Sequence, residues 1–259
     1  MIWRSRICSR QGIGKPAGAV RTIGAALFAV FATNFPPLAA GTVTGKVQLV
    51  DSRIPAVRNR QDYSGVVISL TRVRADATAA SAAKRAVILQ KDKTFSPHVL
   101  AIPVGTYVDF PNADPIFHNA FSSYSGQIFD IGLYPPGTSR SVRFTRPGVV
   151  RVFCNIHSSM SAMIVVLATP YFAVTGHDGA FALQDVPPGD YTLRVVHERA
   201  SETALAALTR PLAVGAESQA LPAIDISEAG YLSIPHKNKF GQDYAPDTED
   251  RVMYPATRK

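Results

Sequence analysis

Gly148-Val149-Val150-Arg151-Val152-Phe153 runs directly into Cys154-Asn155-Ile156-His157-Ser158-Ser159-Met160, and Ala162-Met163-Ile164-Val165-Val166-Leu167 follows. The two outer runs are short and rich in β-branched residues, the pattern of paired strands. The loop between them holds a thiol, an imidazole and a thioether within seven consecutive positions. A second stretch, Asn112-Ala113-Asp114-Pro115-Ile116-Phe117-His118-Asn119, places another imidazole thirty-six positions before Cys154. It follows the strand-like Gly105-Thr106-Tyr107-Val108-Asp109-Phe110. Both donor groups therefore sit at strand ends, where loops on a rigid sandwich carry function.

Two imidazoles, one thiolate and a weak thioether are the donor set of a blue-copper site. Its soft sulfur suits Cu(I), while its imidazoles also accept Cu(II). On these residues the chain resembles the cupredoxin family, and the spacing of Cys154, His157 and Met160 is similar to an amicyanin-type loop. The resemblance implies one type-1 copper ion held by His118, Cys154, His157 and Met160, with Met160 as the long axial ligand. It also implies that Asn119 ties the two ligand loops together by hydrogen bonds near the Cys154 sulfur. In amicyanin-type loops prolines flank the histidine. Here Ile156 and Ser158 stand in those places, so nothing inside the loop fixes φ as proline does.

Export is expected from the first forty residues. Arg4, Arg6, Arg10, Lys15 and Arg21 form a basic region, Ile23 to Ala32 an apolar run, and Leu38-Ala39-Ala40 a small-residue cleavage site. The apolar run is about half the roughly 20 residues a membrane helix needs, so membrane contact is expected only if the leader stays uncleaved. Without those five basic residues, 22 of the 27 Lys and Arg remain against 19 Asp and Glu. That balance excludes a nucleic-acid binder. Of the two cysteines, Cys8 leaves with the leader, and Cys154 is then alone in an oxidising periplasm with no internal disulfide partner.

The rest of the chain reads as all-β, short alternating runs punctuated by Gly and Pro. The fold expected is a Greek-key cupredoxin β-sandwich inserted in, or followed by, a second small β-sandwich. Thr42 to Val50 and Gly65 to Leu70 supply the first strands of the second sandwich, and residues 41–85 take in these strands and an Ala-rich linker or short helix. The cupredoxin part spans 86–168. Residues 169–230 carry hairpins around Gly176-His177-Asp178-Gly179 and Pro187-Pro188-Gly189-Asp190, and resemble carboxypeptidase regulatory-like, transthyretin-like sandwiches. Residues 231–259 read as a polar tail. His98, His177, His197 and His236 read as ordinary surface histidines.

The function implied is a periplasmic carrier of single electrons and not an enzyme. No histidines alternate as in multicopper oxidases, and no nucleophile motif frames a serine or cysteine. Its partner would be a c-type cytochrome or an exported, periplasmic dehydrogenase. Two alternatives remain open: a copper-binding or delivery protein without electron transfer, and a metal-free structural β-sandwich.

Overall fold

The computed structural model describes residues 40–74, 84–123, 126–233 and 235–244. The expected export leader lies outside them except for residue 40, as do most of the Ala-rich linker (75–83) and the end of the tail.

The chain opens with β1 (Gly41–Val50), a short helix α1 (Pro55–Arg60) and β2 (Val67–Arg72). A compact series follows: β3 (Arg85–Val87), β4 (Leu89–Lys91), β5 (Thr94–Ser96), β6 (Val99–Pro103), β7 (Tyr107–Pro111), β8 (Phe121–Ser122), β9 (Phe129–Asp130), β10 (Ser139–Arg143), β11 (Gly148–Phe153) and β12 (Ser161–Leu167). The chain then returns through β13 (Tyr171–Val174), β14 (Ala180–Val186), β15 (Gly189–Val196), helix α2 (Glu202–Leu208), β16 (Arg210–Val214), β17 (Gln219–Ala220) and β18 (Ile224–Ser227).

Pairing sorts these strands into two sandwiches. β1 pairs antiparallel with β14 and parallel with β17 and β18, while β2 lies between β13 and β15, with β16 beyond. Strands from both ends of the chain thus share one core, which includes Val43, Val47, Ile68, Leu70, Leu183, Leu193 and Ile226. The strands between them form their own sheets, β10-β7-β3 and β6-β12-β11-β8-β9, around a second core.

Side-chain alternation explains how the two cores meet. Successive residues of a strand face opposite sides of its sheet. Along β12, Ala162, Ile164 and Val166 enter the second core, while Met163 and Val165 turn the other way and pack on Val67 of β2. Along β2, Ile68 and Leu70 serve the first core. Both strands are covered on two faces, so both read as continuous apolar runs instead of an apolar–polar alternation.

Several local features differ from the sequence expectation. The polar stretch after β1 forms α1, which begins on Pro55, a residue suited to the first helical position. Helix α2 is capped by Ser201, whose Oγ accepts from the Ala204 N–H at 3.1 Å. Two short strands open the middle series with different partners, since β3 pairs with β7 and β4 with β5. The hairpin turn at Gly176–Gly179 is present, and Gly179 adopts φ +76° where a Cβ would collide with the Val47 carbonyl.

His197 corrects the surface reading most clearly. It is 3% exposed, and its Nε2 lies 2.6 Å from Glu228 Oε1. Arg199 Nε donates to the same oxygen at 2.8 Å, and Ser52 Oγ donates to Oε2. Burial works to raise the Glu228 pKa, but the bonds from His197 and Ser52 and the charge of Arg199 outweigh it and lower it to about 2. A carboxylate with a depressed folded pKa gives stability that is fully present above its unfolded value and is lost as pH falls toward the folded one. Glu228 should therefore contribute on the order of 3 kcal/mol at neutral pH, lost between about pH 4.5 and 2. Urea unfolding against pH should show this loss, and Glu228→Gln should flatten that part of the curve.

Candidate metal centre

The strand register delivers Cys154 to the interior. Val150 and Val152 point into the second core, and Cys154, the next residue in the same alternation, is completely buried there. Phe153 is paired with Ser161 at the end of the β11–β12 ladder, so residues 154–160 are the connecting loop. That loop is closed by its own backbone. The Cys154 N–H donates to the Met160 carbonyl at 3.1 Å, and the Met160 N–H to the His157 carbonyl at 3.2 Å.

His118 approaches from a separate loop. Reciprocal backbone hydrogen bonds of 3.2 and 2.9 Å tie it to Tyr134. The Tyr134 hydroxyl donates to the Phe110 carbonyl at 2.8 Å and also meets Gln90 Nε2. Burial raises the Tyr134 pKa to about 12, which keeps the ring neutral. His118 is itself fully buried.

These two loops bring three donors together. Cys154 Sγ stands 3.5 Å from His157 Nδ1 and 3.9 Å from His118 Nδ1. One donor atom from each of the three residues lies within 4.8 Å of the other two, and no other such cluster of His, Cys, Asp or Glu occurs among the described residues. The imidazole rings are 4.9 Å apart, inclined by 63°. Two ligands held at about 2.0–2.3 Å from one ion stand no more than ~4.5 Å apart, so both sulfur–nitrogen spacings fit a shared metal. The soft sulfur with two imidazole nitrogens fits copper in either of its common oxidation states.

A carboxylate fixes which nitrogen of His118 faces the sulfur. His118 Nε2 lies 2.7 Å from Asp114 Oδ2. Asp114 also accepts from the backbone N–H groups of Asp92 at 2.6 Å and Lys93 at 2.9 Å. Burial favours the neutral acid, yet these bonds together hold the Asp114 pKa below its ordinary value. The ionised carboxylate takes the proton on Nε2 and leaves Nδ1 as a lone-pair donor toward Cys154. Burial also depresses the His118 pKa, against the pull of Asp114, so the ring stays neutral as a ligand must be.

Cys154 presents the opposite tension. Burial pushes its thiol pKa up, while backbone N–H groups of Ile156, Asn119, His157 and Asn155 face the sulfur and pull it down. A bound cation removes that tension by stabilising the thiolate directly.

The Asn119 backbone N–H faces the Cys154 sulfur, and its side chain donates from Nδ2 to Asp130 Oδ1 at 2.8 Å. Met160 is fully buried in the same core cluster as Cys154. His157 is 9% exposed, the most accessible of the four residues proposed from the sequence.

No family model matches the chain, and no curated protein does either. Solved structures give partial likenesses. A purple cupredoxin from Nitrosopumilus maritimus is 26% identical over 32% of this chain and 99% of its own, with a TM-score of 0.29. A copper-containing nitrite reductase from Thermus scotoductus is 25% identical over 47% of this chain but only 28% of its own, with a TM-score of 0.31. A reduced amicyanin variant is 19% identical over 39% of this chain and 98% of its own, also at 0.31.

Sequence reasoning missed Asp114, although it lies four residues before His118, and it left the tail without a role. His236 is not a lone surface histidine. Its ring stacks on Phe153 at 4.1 Å, and its Nδ1 lies 3.1 Å from the Tyr244 hydroxyl. His98 is more exposed than His197, yet it too is paired, with Glu198 Oε2 at 2.8 Å and the Ser161 carbonyl at 3.0 Å.

Proposed function

We propose that the protein is an exported type-1 copper protein that carries single electrons and is not an enzyme. The observation that supports this most is the meeting of Cys154 Sγ, His118 Nδ1 and His157 Nδ1 at one buried point, from two loops thirty-six residues apart. His118, Cys154 and His157 would hold one copper ion, with the buried Met160 as a further, weak thioether donor. Bound copper would supply a one-electron couple between Cu(I) and Cu(II).

The chain's own part is to hold the donors still and dry. Asp114 orients His118, four backbone N–H groups face the Cys154 sulfur, and the second core closes around Cys154 and Met160. His157 is the donor nearest solvent, and we assign it as the point where electrons enter and leave. The partner would be a c-type cytochrome or an exported dehydrogenase in the periplasm. A delivery protein would need a readily exchanged ion. The full burial of Cys154, His118 and Met160 favours retention, and so the carrier.

Loading with Cu(II) should give intense absorption at about 600 nm, as expected for a copper–thiolate site of this type. The colour should bleach on one-electron reduction, return on oxidation, and persist for hours against a chelator. A colourless product would overturn the reading. A coloured product that surrendered its metal within seconds would favour delivery.

A further inference from the structure

Residues 154–160 contain no proline. The loop that carries Cys154, His157 and Met160 therefore has no fixed φ of its own, and only two internal backbone hydrogen bonds close it. Within the loop the N–H groups of Asn155, Ile156 and His157 also face the Cys154 sulfur, and further restraint comes from far along the chain. The Tyr244 hydroxyl donates to the Cys154 carbonyl at 2.6 Å, and the Lys239 N–H donates to Asn155 Oδ1 at 2.9 Å. Lys239 Nζ reaches Asp130 Oδ2 at 2.7 Å, and the other oxygen of Asp130 receives Asn119 Nδ2.

The segment that makes these contacts is ordered within itself. Since the Tyr244 hydroxyl gives its proton to Cys154, it accepts from His236 Nδ1–H at 3.1 Å, and the His236 ring lies over Phe153, the last residue of β11. Asn238 closes the turn between, accepting from the N–H groups of Phe240 at 2.9 Å and Gln242 at 3.0 Å. Burial works to raise the Asp130 pKa, but Lys239, the Gly132 N–H and Asn119 more than reverse this and hold it below its ordinary value. One segment thus grips Cys154 and Asn155 on the first ligand loop. Through Asp130 it also grips Asn119, beside His118 on the second.

We infer that residues 236–244 are a brace that positions the metal loops, with Tyr244 and Lys239 as its positioning residues. The brace supplies from outside the stiffness that the loop sequence lacks. Fixing the Cys154 carbonyl and the Asn155 side chain restricts rotation of the main chain on either side of the sulfur donor. Lys239 then sets the spacing between the two ligand loops through Asp130. None of these residues is among the proposed ligands. Their effect would be on how far the donors relax when the ion is gained, lost or changes charge. This role rests on the copper-carrier reading for its purpose, though the mechanical claim holds for the metal-free chain as well.

The test uses the full-length protein carrying Tyr244→Phe and Lys239→Met together, changes that keep ring and stem volume while removing both side-chain bonds. In the metal-free protein, hydrogen exchange at the Cys154 and Met160 amides should accelerate about tenfold, the equivalent of one lost hydrogen bond. In the copper-loaded protein, release of Cu(I) to a chelator should accelerate by a similar factor. The absorption at about 600 nm should also shift or weaken, a change that general loosening far from the site would not produce. The thermal midpoint of the flanking sandwich should stay as in the wild type. Exchange at wild-type rates would overturn the brace whatever the metal does. Faster exchange in a protein whose wild type takes up no copper would uphold the brace and overturn the carrier reading.

Discussion

Cys154→Ser should abolish the absorption at about 600 nm completely and weaken copper binding by at least a hundredfold, because the intense band arises from the thiolate and no other soft anionic donor is at hand. The remaining donors would be two neutral imidazoles and a thioether, a set without charge to neutralise the ion. Cys154 is the one free cysteine among the described residues, so no neighbouring thiol can take its place. The substitution should leave the fold intact. Serine is smaller than cysteine by little, and the backbone N–H groups of Asn119, Asn155, Ile156 and His157 that face the sulfur would then find a hydroxyl oxygen to donate to. Loss of colour can therefore be read as loss of the ligand, not of the protein. Copper titration followed by absorption and by thermal unfolding checks both halves. A variant with the wild-type spectrum and affinity would remove Cys154 from the site.

What could be read from the sequence follows the range of each interaction. Period-two alternation is a local signal, and the structure buries Val43, Val47 and Leu49 along β1 and Val150, Val152 and Cys154 along β11 in keeping with it. Cys154 and His157, which the structure brings together with His118, could be singled out because they are near neighbours in a stretch whose residue types have one well-known shared chemistry. His118 was legible only through the form of the strand before it. Most of the misses are contacts between residues far apart. Nothing local to His197 announces Glu228, thirty-one positions on, and a strand-end histidine reads as exposed until its carboxylate partner is found. The tail has no periodicity, and its bonds to Cys154 and Asn155 span 90 and 84 positions. Polar residues with distant partners carry no pattern in sequence. Asp114 is different: a carboxylate four residues before a candidate ligand histidine was visible, and the common pairing of metal-bound histidine with a carboxylate could have singled it out.

Asp114→Ala should weaken copper binding by about 10–100-fold, the usual cost of removing a carboxylate that orients a ligand histidine. The reason lies in the proton, not in lost contact with the ion. With Asp114 present, His118 Nε2–H has an ionised acceptor at 2.7 Å, and Nδ1 is free of hydrogen where it faces Cys154. Without it, the tautomer carrying hydrogen on Nδ1 no longer has a rival held by charge, and that proton occupies the lone pair that should face the metal. Part of the population must then change tautomer before binding. The ring also loses its anchor and can turn about χ2. A second cost is separate. The backbone N–H groups of Asp92 and Lys93 lose their acceptor, which should lower stability by about 1–3 kcal/mol for each group left without water. Asp114→Asn distinguishes the two effects. Its one carbonyl oxygen can still accept from His118 or from the Asp92 and Lys93 amides, but its NH2 group must face one of these donors. The asparagine variant should fall between wild type and alanine in affinity, and competition with a chelator of known strength would rank the three. Equal affinities across the series, in proteins that remain folded, would show that the backbone pairing of His118 with Tyr134 alone fixes the ring.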